Sequence, residues 1–242
     1  MKSNGKANEY PKRLLSSIVD GDYLPQIGLS VWSRRLLSLV YCSSLAQEGS
    51  SFPILIQQTS LPEAFLRTSL EELASEGLID VTKSDSPQTP NVFRMRSLGR
   101  DAIKVVFSGG VFDIIHPGHI YTLKKSRELG DVLIISVARD TTVLKMKGHR
   151  PLNAEVKRRE MVSSIEFVDL AILGSESNLF ETVLKVRPDI ISLGYDQKHD
   201  EGTLRREAER NGLKIQVIRL GSPIPDLKSS NLVENHDILH EI

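Results

Sequence analysis

Residues 108–119 read Ser-Gly-Gly-Val-Phe-Asp-Ile-Ile-His-Pro-Gly-His, directly after a short apolar run. Gly109 and Gly110 let the backbone turn sharply and come close to a ligand, because neither carries a Cβ atom. Pro117 suits the first turn of a helix, so His116 and His119 are predicted to lie at a helix N-terminus. Free N–H groups and the positive end of the helix dipole favour anions there. The segment therefore predicts a phosphate site between a strand and a helix.

Short apolar runs recur through the rest of the chain. Runs of this kind are typical of strands buried on both faces, and here they are KVVFSG, DVLIISVA, DLAILG, DIISLG and KIQVIR, which begin at residues 104, 131, 169, 189 and 214. Helices are predicted between them, over residues 117–129, 155–165, 179–186 and 204–211. This alternation predicts an α/β fold with a doubly wound parallel sheet of five strands, whose ligands bind beyond the carboxyl ends of the strands.

The first hundred residues follow another pattern. Apolar residues at helical spacing from Trp32 to Leu45, and again over residues 62–76, predict helices, and residues 78–82 and 91–96 are predicted as strands around a proline-containing loop. This order resembles a small winged helix–turn–helix. We therefore predict two domains, a winged-helix-like one over residues 1–101 and the sheet domain over residues 102–242. Trp32, Phe52 and Phe65 are predicted in the core of the first domain.

Composition excludes several classes of protein. The 242 residues are 40% hydrophobic and 26% charged, which is ordinary for a globular protein and excludes wholesale disorder. The 31 basic and 31 acidic residues balance, which argues against a surface that binds nucleic acid or membranes throughout. One cysteine, Cys42, cannot form an internal disulfide, and it is predicted to be a small buried residue. Neither a membrane helix nor a signal peptide is visible, so we expect a cytoplasmic protein without a membrane partner.

The two histidines have alternative interpretations. His116 and His119 are three residues apart, so they can also be zinc ligands or surface residues. A zinc site lacks a convincing third and fourth ligand, since Cys42 lies in the other domain and no H-E-x-x-H motif is present. The strand–Gly–Gly–His-x-Gly-His–helix context favours phosphate handling. Imidazoles there can donate hydrogen bonds to phosphate oxygens and are more easily protonated beside them.

The segment GGVFDIIHPGH resembles the H-x-G-H motif of the cytidylyltransferase-like nucleotidyltransferases, whose sheet is Rossmann-like. The resemblance covers about residues 104–242. It implies that a phosphate or alcohol oxygen attacks the α-phosphorus of a nucleoside triphosphate and that pyrophosphate leaves, without a covalent enzyme intermediate. It also implies Mg²⁺ bound through the triphosphate rather than by protein ligands. The implied catalytic residues are His116, His119 and, on the following helix, Lys125, for which an exposed helix face is the alternative.

The resemblance implies further nucleotide contacts along the carboxyl edge of the sheet. These candidate nucleotide-binding residues are Gly109, Gly110, Val111, Phe112, Asp113, Gly118, Arg139, Asp140, Arg158, Gly194, Asp196, Gln197, Ser229 and Ser230. A basic loop that closes over phosphates is predicted to carry Lys145, Lys147 and Arg150. Simpler roles remain open: a helix cap for Asp140, an Asx turn for Asp196, and solvated surface charges for the basic loop.

Three further segments bear on the substrates. VARDTTVLKMKG, KRREMV and LGYDQ look closest to the archaeal-type FAD synthases, which transfer AMP from ATP to FMN. The resemblance thus implies ATP and FMN as substrates, and a homodimer by the habit of the family. The alternative is a CTP-dependent cytidylyltransferase that acts on glycerol phosphate or a similar alcohol phosphate. Cysteines near the C-terminus of that group have no counterpart here, because no cysteine follows Cys42.

Winged helices are associated with DNA binding, which gives an alternative of another class, a nucleotide- or flavin-sensing DNA-binding regulator. The predicted recognition helix carries one arginine, Arg67, and four glutamates, Glu63, Glu71, Glu72 and Glu76. Its net charge is negative where an approach to phosphates requires positive charge. DNA is therefore the less favoured partner, and a packing, dimerising or ligand-sensing module is the preferred interpretation.

Overall fold

The computed structural model describes residues 28–46, 50–82 and 91–221. The chain divides into two compact units, with the boundary between Ala102 and Ile103. Ser229 and Ser230, two of the predicted nucleotide contacts, lie outside the described residues. Among the described helices, none is both long and apolar enough to cross a lipid bilayer.

The first unit combines helices with a small antiparallel sheet. Its helices are α1 (Val31–Ala46), α2 (Phe52–Thr59), α3 (Glu63–Ser75) and α4 (Ser97–Asp101). The sheet has the order β1–β3–β2, with β1 (Ser50–Ser51), β2 (Ile79–Thr82) and β3 (Val92–Met95). Leucines of three helices fill the core, namely Leu36, Leu37, Leu55, Leu66 and Leu70.

Of the three predicted core residues of this unit, Trp32 and Phe52 are half-buried and Phe65 is exposed. Phe65 is 43% exposed, so the prediction that it lies in the core is wrong. The buried face of α3 contains Leu66, Leu70 and Leu73, whose spacing follows the helical period, and Phe65 falls outside that face. Its ring instead meets Trp32 edge-on, with centroids 6.3 Å apart. Cys42 is buried, as predicted.

The second unit is the predicted five-stranded parallel sheet, and the fold class is confirmed. The strands have the order β6–β5–β4–β7–β8, with β4 (Val105–Gly110), β5 (Val132–Val137), β6 (Leu170–Leu173), β7 (Ile190–Leu193) and β8 (Gln216–Arg219). The chain runs outward from β4 through β5 to β6 and then returns to β7 on the other side of β4. The strand order therefore reverses between β4 and β7, which is where ligands of such sheets bind.

An aspartate before each of three strands fixes the pairing of the sheet. The carboxylate of Asp131 accepts the backbone N–H of Lys104, Asp189 accepts that of Val105, and Asp169 accepts that of Leu133, at 2.7–2.8 Å. Each bond joins the beginning of one strand to the beginning of its neighbour. The strands consequently end together at the opposite edge, where the predicted site residues lie.

Helices connect the strands. They are α5 (Pro117–Arg127), α6 (Asp140–Lys147), α7 (Glu155–Ser163), α8 (Leu179–Val186) and α9 (Glu201–Arg210). Lys145 and Lys147 were predicted in a loop, and this is wrong because both belong to the last turn of α6. Cations stabilise a helix at that end, and Gly148, with a φ of 79°, terminates the helix.

We expect Gly99→Ala to destabilise the first unit. An added Cβ at Gly99 would lie 2.1 Å from the backbone oxygen of Leu78, so the backbone itself must move. The expected cost is about 3 kcal/mol, as for other overpacked sites. Gly221→Ala is the control, because that position is open. Thermal unfolding followed by circular dichroism measures both variants, and equal midpoints for the two would contradict the predicted clash.

Candidate active site

The chain makes a tight turn at the carboxyl end of β4. An added Cβ at Gly110, the last residue of β4, would lie 2.8 Å from the ring of Phe112. Phe112 is buried and has a φ of 54°, a left-handed conformation that residues with a side chain rarely adopt. A side chain at Gly110 would therefore displace the buried ring of Phe112. A Cβ atom added at Gly109 would make only ordinary van der Waals contacts, at 3.5 Å or more.

α5 begins after this turn. His116 is its N-cap residue with an extended backbone, Pro117 is its first residue and Gly118 its second. The carbonyl of His116 accepts the backbone N–H of His119 at 2.9 Å. The prediction that both histidines lie at a helix N-terminus is thus confirmed.

The two imidazole rings lie against each other at an angle of 32°. Their centroids are 4.0 Å apart, and the ring of Phe112 lies 5.1 Å from that of His119. The Nδ1 atoms of His116 and His119 are buried and have no hydrogen-bond partner among the described residues. Buried polar atoms of native proteins are nearly always paired with protein groups, ordered water or a ligand, so these two nitrogens are available to a ligand.

The surroundings keep both histidines neutral. The pKa of His119 is lowered to about 4, chiefly by burial and further by the charges of His116 and Lys147, although Asp196 and a hydrogen bond with the backbone of Ile114 act in the opposite direction. Burial also lowers the pKa of His116, and Asp196 opposes this. A negatively charged ligand would raise both values, because an opposite charge favours the protonated form. The pair is therefore suited to gain positive charge as phosphate arrives.

A loop after β7 reaches β4 across the point where the strand order reverses. The side-chain amide of Gln197 donates to the carbonyl of Gly109 at 2.6 Å. Asp196 is exposed on the same loop, and its charge acts on both histidines. Gly194 begins the loop, and an added Cβ there would meet only ordinary contacts. The structure thus links two predicted site residues of this loop to the site, Gln197 through Gly109 and Asp196 through its charge on the histidines.

Asp113 connects two loops of the site. Its carboxylate accepts the backbone N–H groups of Leu152 and Asn153, each at 2.8 Å. The side chain of Asn153 returns a hydrogen bond to the carbonyl of Asp113 at 2.9 Å. Asp113 was predicted to contact nucleotide, but here its carboxylate oxygens bind the segment that follows the basic residues.

Arg158 is fully buried in α7 and hydrogen-bonds to protein groups. Its guanidinium donates to the carbonyls of Asn153, Val111 and Ala138 and to the carboxylate of Asp140, at 2.5–2.9 Å. Val111 and Ala138 directly follow β4 and β5. Arg158 therefore holds these two loops in place through buried hydrogen bonds. The sequence predicts a direct nucleotide contact, whereas in the structure Arg158 contacts protein groups.

Arg139 and Asp140 are joined by a carboxylate that the sequence analysis missed. Glu155 accepts Arg139 at 2.7 Å and the backbone N–H of Asp140 at 2.8 Å. Burial raises the pKa of Glu155, but these hydrogen bonds outweigh it and the pKa is lowered. Glu155 is the first residue of α7, a common place for an acidic side chain, so its type alone gave no indication of this role.

The remaining predicted residues lie outside this cluster. Lys125 is in the last turn of α5, about 13 Å along the helix from His116 at 1.5 Å per residue. Its ammonium group pairs with Glu128 at 2.7 Å. Lys145, Lys147 and Arg150 are exposed, and the charge of Lys147 acts on His119. Of the basic segment, Lys147 is thus electrostatically linked to the histidines.

Comparison with known proteins identifies relatives of the second unit. Residues 107–238 match the cytidylyltransferase-like family. The chain is 50% identical over 115 residues to an FAD synthase of Aciduliprofundum boonei, covering 48% of this chain and 76% of that protein. It is 46% identical over 128 residues to an FAD synthase of Thermoplasma acidophilum, covering 53% and 89%. A crystal structure of a lipopolysaccharide core biosynthesis protein from Thermoplasma volcanium has 43% identity and a TM-score of 0.48, covering 50% of this chain and 98% of that one.

We expect Arg158→Met to destabilise the protein by about 3 kcal/mol, because it leaves buried carbonyls and the Asp140 carboxylate without their donor. Arg159→Met, at the adjacent and less buried position, is the matched control. Urea unfolding gives both free energies. A loss at Arg158 no larger than that at Arg159 would refute its structural role.

Acid should weaken the fold through His119. Because its folded pKa is about 4 against 6.5 for the free side chain, the unfolded chain binds more protons between these pH values. Stability must therefore fall as the pH drops from 6.5 to 4, by at most about 3 kcal/mol from this group. Urea unfolding of His119→Gln at several pH values should show a correspondingly smaller acid loss. A wild-type slope in His119→Gln would contradict a buried neutral His119.

Proposed function

This chain belongs to the cytidylyltransferase-like family, and on that premise we propose that it is an FMN adenylyltransferase, which makes FAD and pyrophosphate from ATP and FMN. Relatives named FAD synthase, at 43–50% identity, confirm the sequence-based prediction of a nucleotidyltransferase of this kind. The observation that carries the proposal is the pair of adjacent histidine rings with unpaired Nδ1 atoms at the start of α5, beside the glycine turn of β4.

The geometry supports transfer by positioning and by stabilisation of charge. A phosphate oxygen of FMN attacks the α-phosphorus of ATP, a new P–O bond forms, and the bond to the β-phosphate oxygen breaks with its electron pair leaving on pyrophosphate. His116 and His119 bind the phosphate oxygens on which negative charge develops. Both are neutral in the free protein and accept a proton more readily once the triphosphate is beside them. The positive end of α5 acts in the same direction.

We propose that Mg²⁺ accompanies the triphosphate. Within the described ranges, no cluster of three or more His, Cys, Asp or Glu side chains is arranged to hold a metal ion. The carboxylates of Asp113 and Asp140 already accept protein N–H groups. Phosphate oxygens are thus the natural ligands for the cation, and when bound it neutralises their charge.

We propose that the nucleotide lies between the loop after β7 and the basic end of α6. Asp196 and Gln197 offer oxygens and an amide to the ribose or the base, while Lys145, Lys147 and Arg150 offer positive charge to the phosphates. Ser229 and Ser230 remain proposed phosphate contacts. Lys125 remains a proposed catalytic residue, which would have to leave Glu128 to act.

The charges of the first unit do not favour the alternative of a DNA-binding regulator. The arginine of α3, Arg67, pairs with Glu63 at 2.8 Å and lies over the ring of Phe52. Its positive charge is thus engaged within the unit, and the glutamates of α3 remain. We propose a winged-helix-like packing or dimerising module, in a homodimer, as its role.

Purified protein with Mg²⁺, ATP and FMN should produce FAD, separated by chromatography and detected by fluorescence. His119→Ala should lower turnover by about a hundredfold or more, as loss of a group that stabilises developing charge does. Lys185→Ala should stay near wild type, since Lys185 is exposed in the last turn of α8 and belongs to none of the proposed contacts. Turnover with CTP and glycerol phosphate but not with ATP and FMN would favour the cytidylyltransferase instead. Near-normal turnover by His119→Ala would overturn the mechanism.

A further inference from the structure

Arg219, the last residue of β8, hydrogen-bonds to one loop at four places. Its guanidinium donates to the carbonyls of Gly194, Gln197 and His199 at 3.1, 2.8 and 2.7 Å, and to the carboxylate of Glu201 at 3.1 Å. All four partners belong to the segment that leads from β7 into α9. Arg219 is not predicted as a site residue from the sequence, because it falls at the end of an apolar run without any motif.

The position of Arg219 in the sheet explains these contacts. It pairs with Leu193, the last residue of β7, so its side chain starts beside the point where the loop leaves the sheet. The planar guanidinium presents several N–H groups in a fixed arrangement, and it can therefore bind three carbonyls at once. A lysine at this position offers a single ammonium group and cannot hold all three in the same way.

The loop that Arg219 holds is the one that faces the histidines. Gln197 donates from this loop to Gly109, and Asp196 acts on both imidazoles. The loop has no regular secondary structure between Gly194 and Asp200. The conformation of the loop therefore depends on hydrogen bonds from side chains, and Arg219 donates three of these to backbone carbonyls of the loop.

We propose that Arg219 is a positioning residue that holds Asp196 and Gln197 in the geometry needed to bind the nucleotide. This inference rests on the proposed function, and it adds a residue that acts through the loop rather than by contact with substrate. Ordering the loop before ATP arrives lowers the cost of binding. Loss of Arg219 should consequently weaken ATP binding more than FMN binding.

The test compares Arg219→Gln and Arg219→Lys with a matched control. Arg205→Gln serves as the control, because Arg205 also contacts β8, through the carbonyl of Val217, and lies 3.5 Å from Glu201 but donates to none of the three loop carbonyls. Calorimetric titration with Mg-ATP in the absence of FMN measures nucleotide affinity without turnover. Steady-state kinetics with ATP and FMN then separates the KM values for the two substrates.

We expect Arg219→Gln to weaken ATP binding by about tenfold, the effect of losing charge-assisted hydrogen bonds that order a site. Arg219→Lys should fall between this variant and wild type, while Arg205→Gln and the KM for FMN should change by about twofold or less. An unchanged ATP affinity in Arg219→Gln would overturn the proposal. So would an equal loss for both substrates together with a lowered unfolding temperature, which indicates a merely structural role.

A failure of the proposed FAD synthase activity can be distinguished from a failure of the role proposed for Arg219. A wild-type protein that binds ATP but does not convert FMN contradicts the FAD synthase activity, and the calorimetric comparison of the variants still decides the role of Arg219. A wild-type protein that neither binds ATP nor makes FAD contradicts both.

Discussion

The geometry of the site depends on the hydrogen bonds of the buried Arg158 guanidinium. It lies beneath the carboxyl edge of the sheet and binds carbonyls that directly follow β4 and β5, together with Asp140. A fully buried arginine is costly unless its donors are paired, and pairing them fixes the positions of the groups that accept. The turn that carries the histidines and the start of α6 are therefore held at fixed positions relative to each other.

The same principle applies on the other side of the point where the strand order reverses. Arg219 binds carbonyls of the loop after β7, as Arg158 binds carbonyls of the loops after β4 and β5. In both places a strong donor orders backbone that has no regular secondary structure. The positive charges of these arginines are already used within the protein. We therefore propose that the triphosphate is bound by other groups, among them the neutral histidines, the positive end of α5 and the lysines of α6.

The sheet could be predicted from the sequence because a strand buried on both faces is a continuous apolar run, and each such run corresponds to a strand of the sheet. The glycine turn and the histidine pair could be predicted because two glycines at the end of a strand, followed by His-Pro-Gly-His at the start of a helix, are typical of few structures other than a phosphate site. α6 was missed because its basic residues and Gly148 are equally typical of a loop, and only the observed helical turn distinguishes the two.

The side-chain partners at the site could not be predicted from the sequence. Asp113 and Arg158 carry the charges that a nucleotide site requires, yet both bind backbone groups from segments far away in the chain. Phe65 shows the same limit in the first unit, since a shift of one position on α3 moves a side chain from the core to the surface. Which partner a polar side chain meets is decided by tertiary packing, which a local pattern does not contain.

The most direct measurement follows the α-phosphorus itself. ATP labelled at the α-phosphorus is incubated with FMN, Mg²⁺ and the purified protein, and the flavin and phosphate products are separated. Attack by FMN at that atom predicts that the label appears in FAD and none in pyrophosphate. Unlabelled flavin after complete consumption of ATP would contradict adenylyl transfer to FMN at this site.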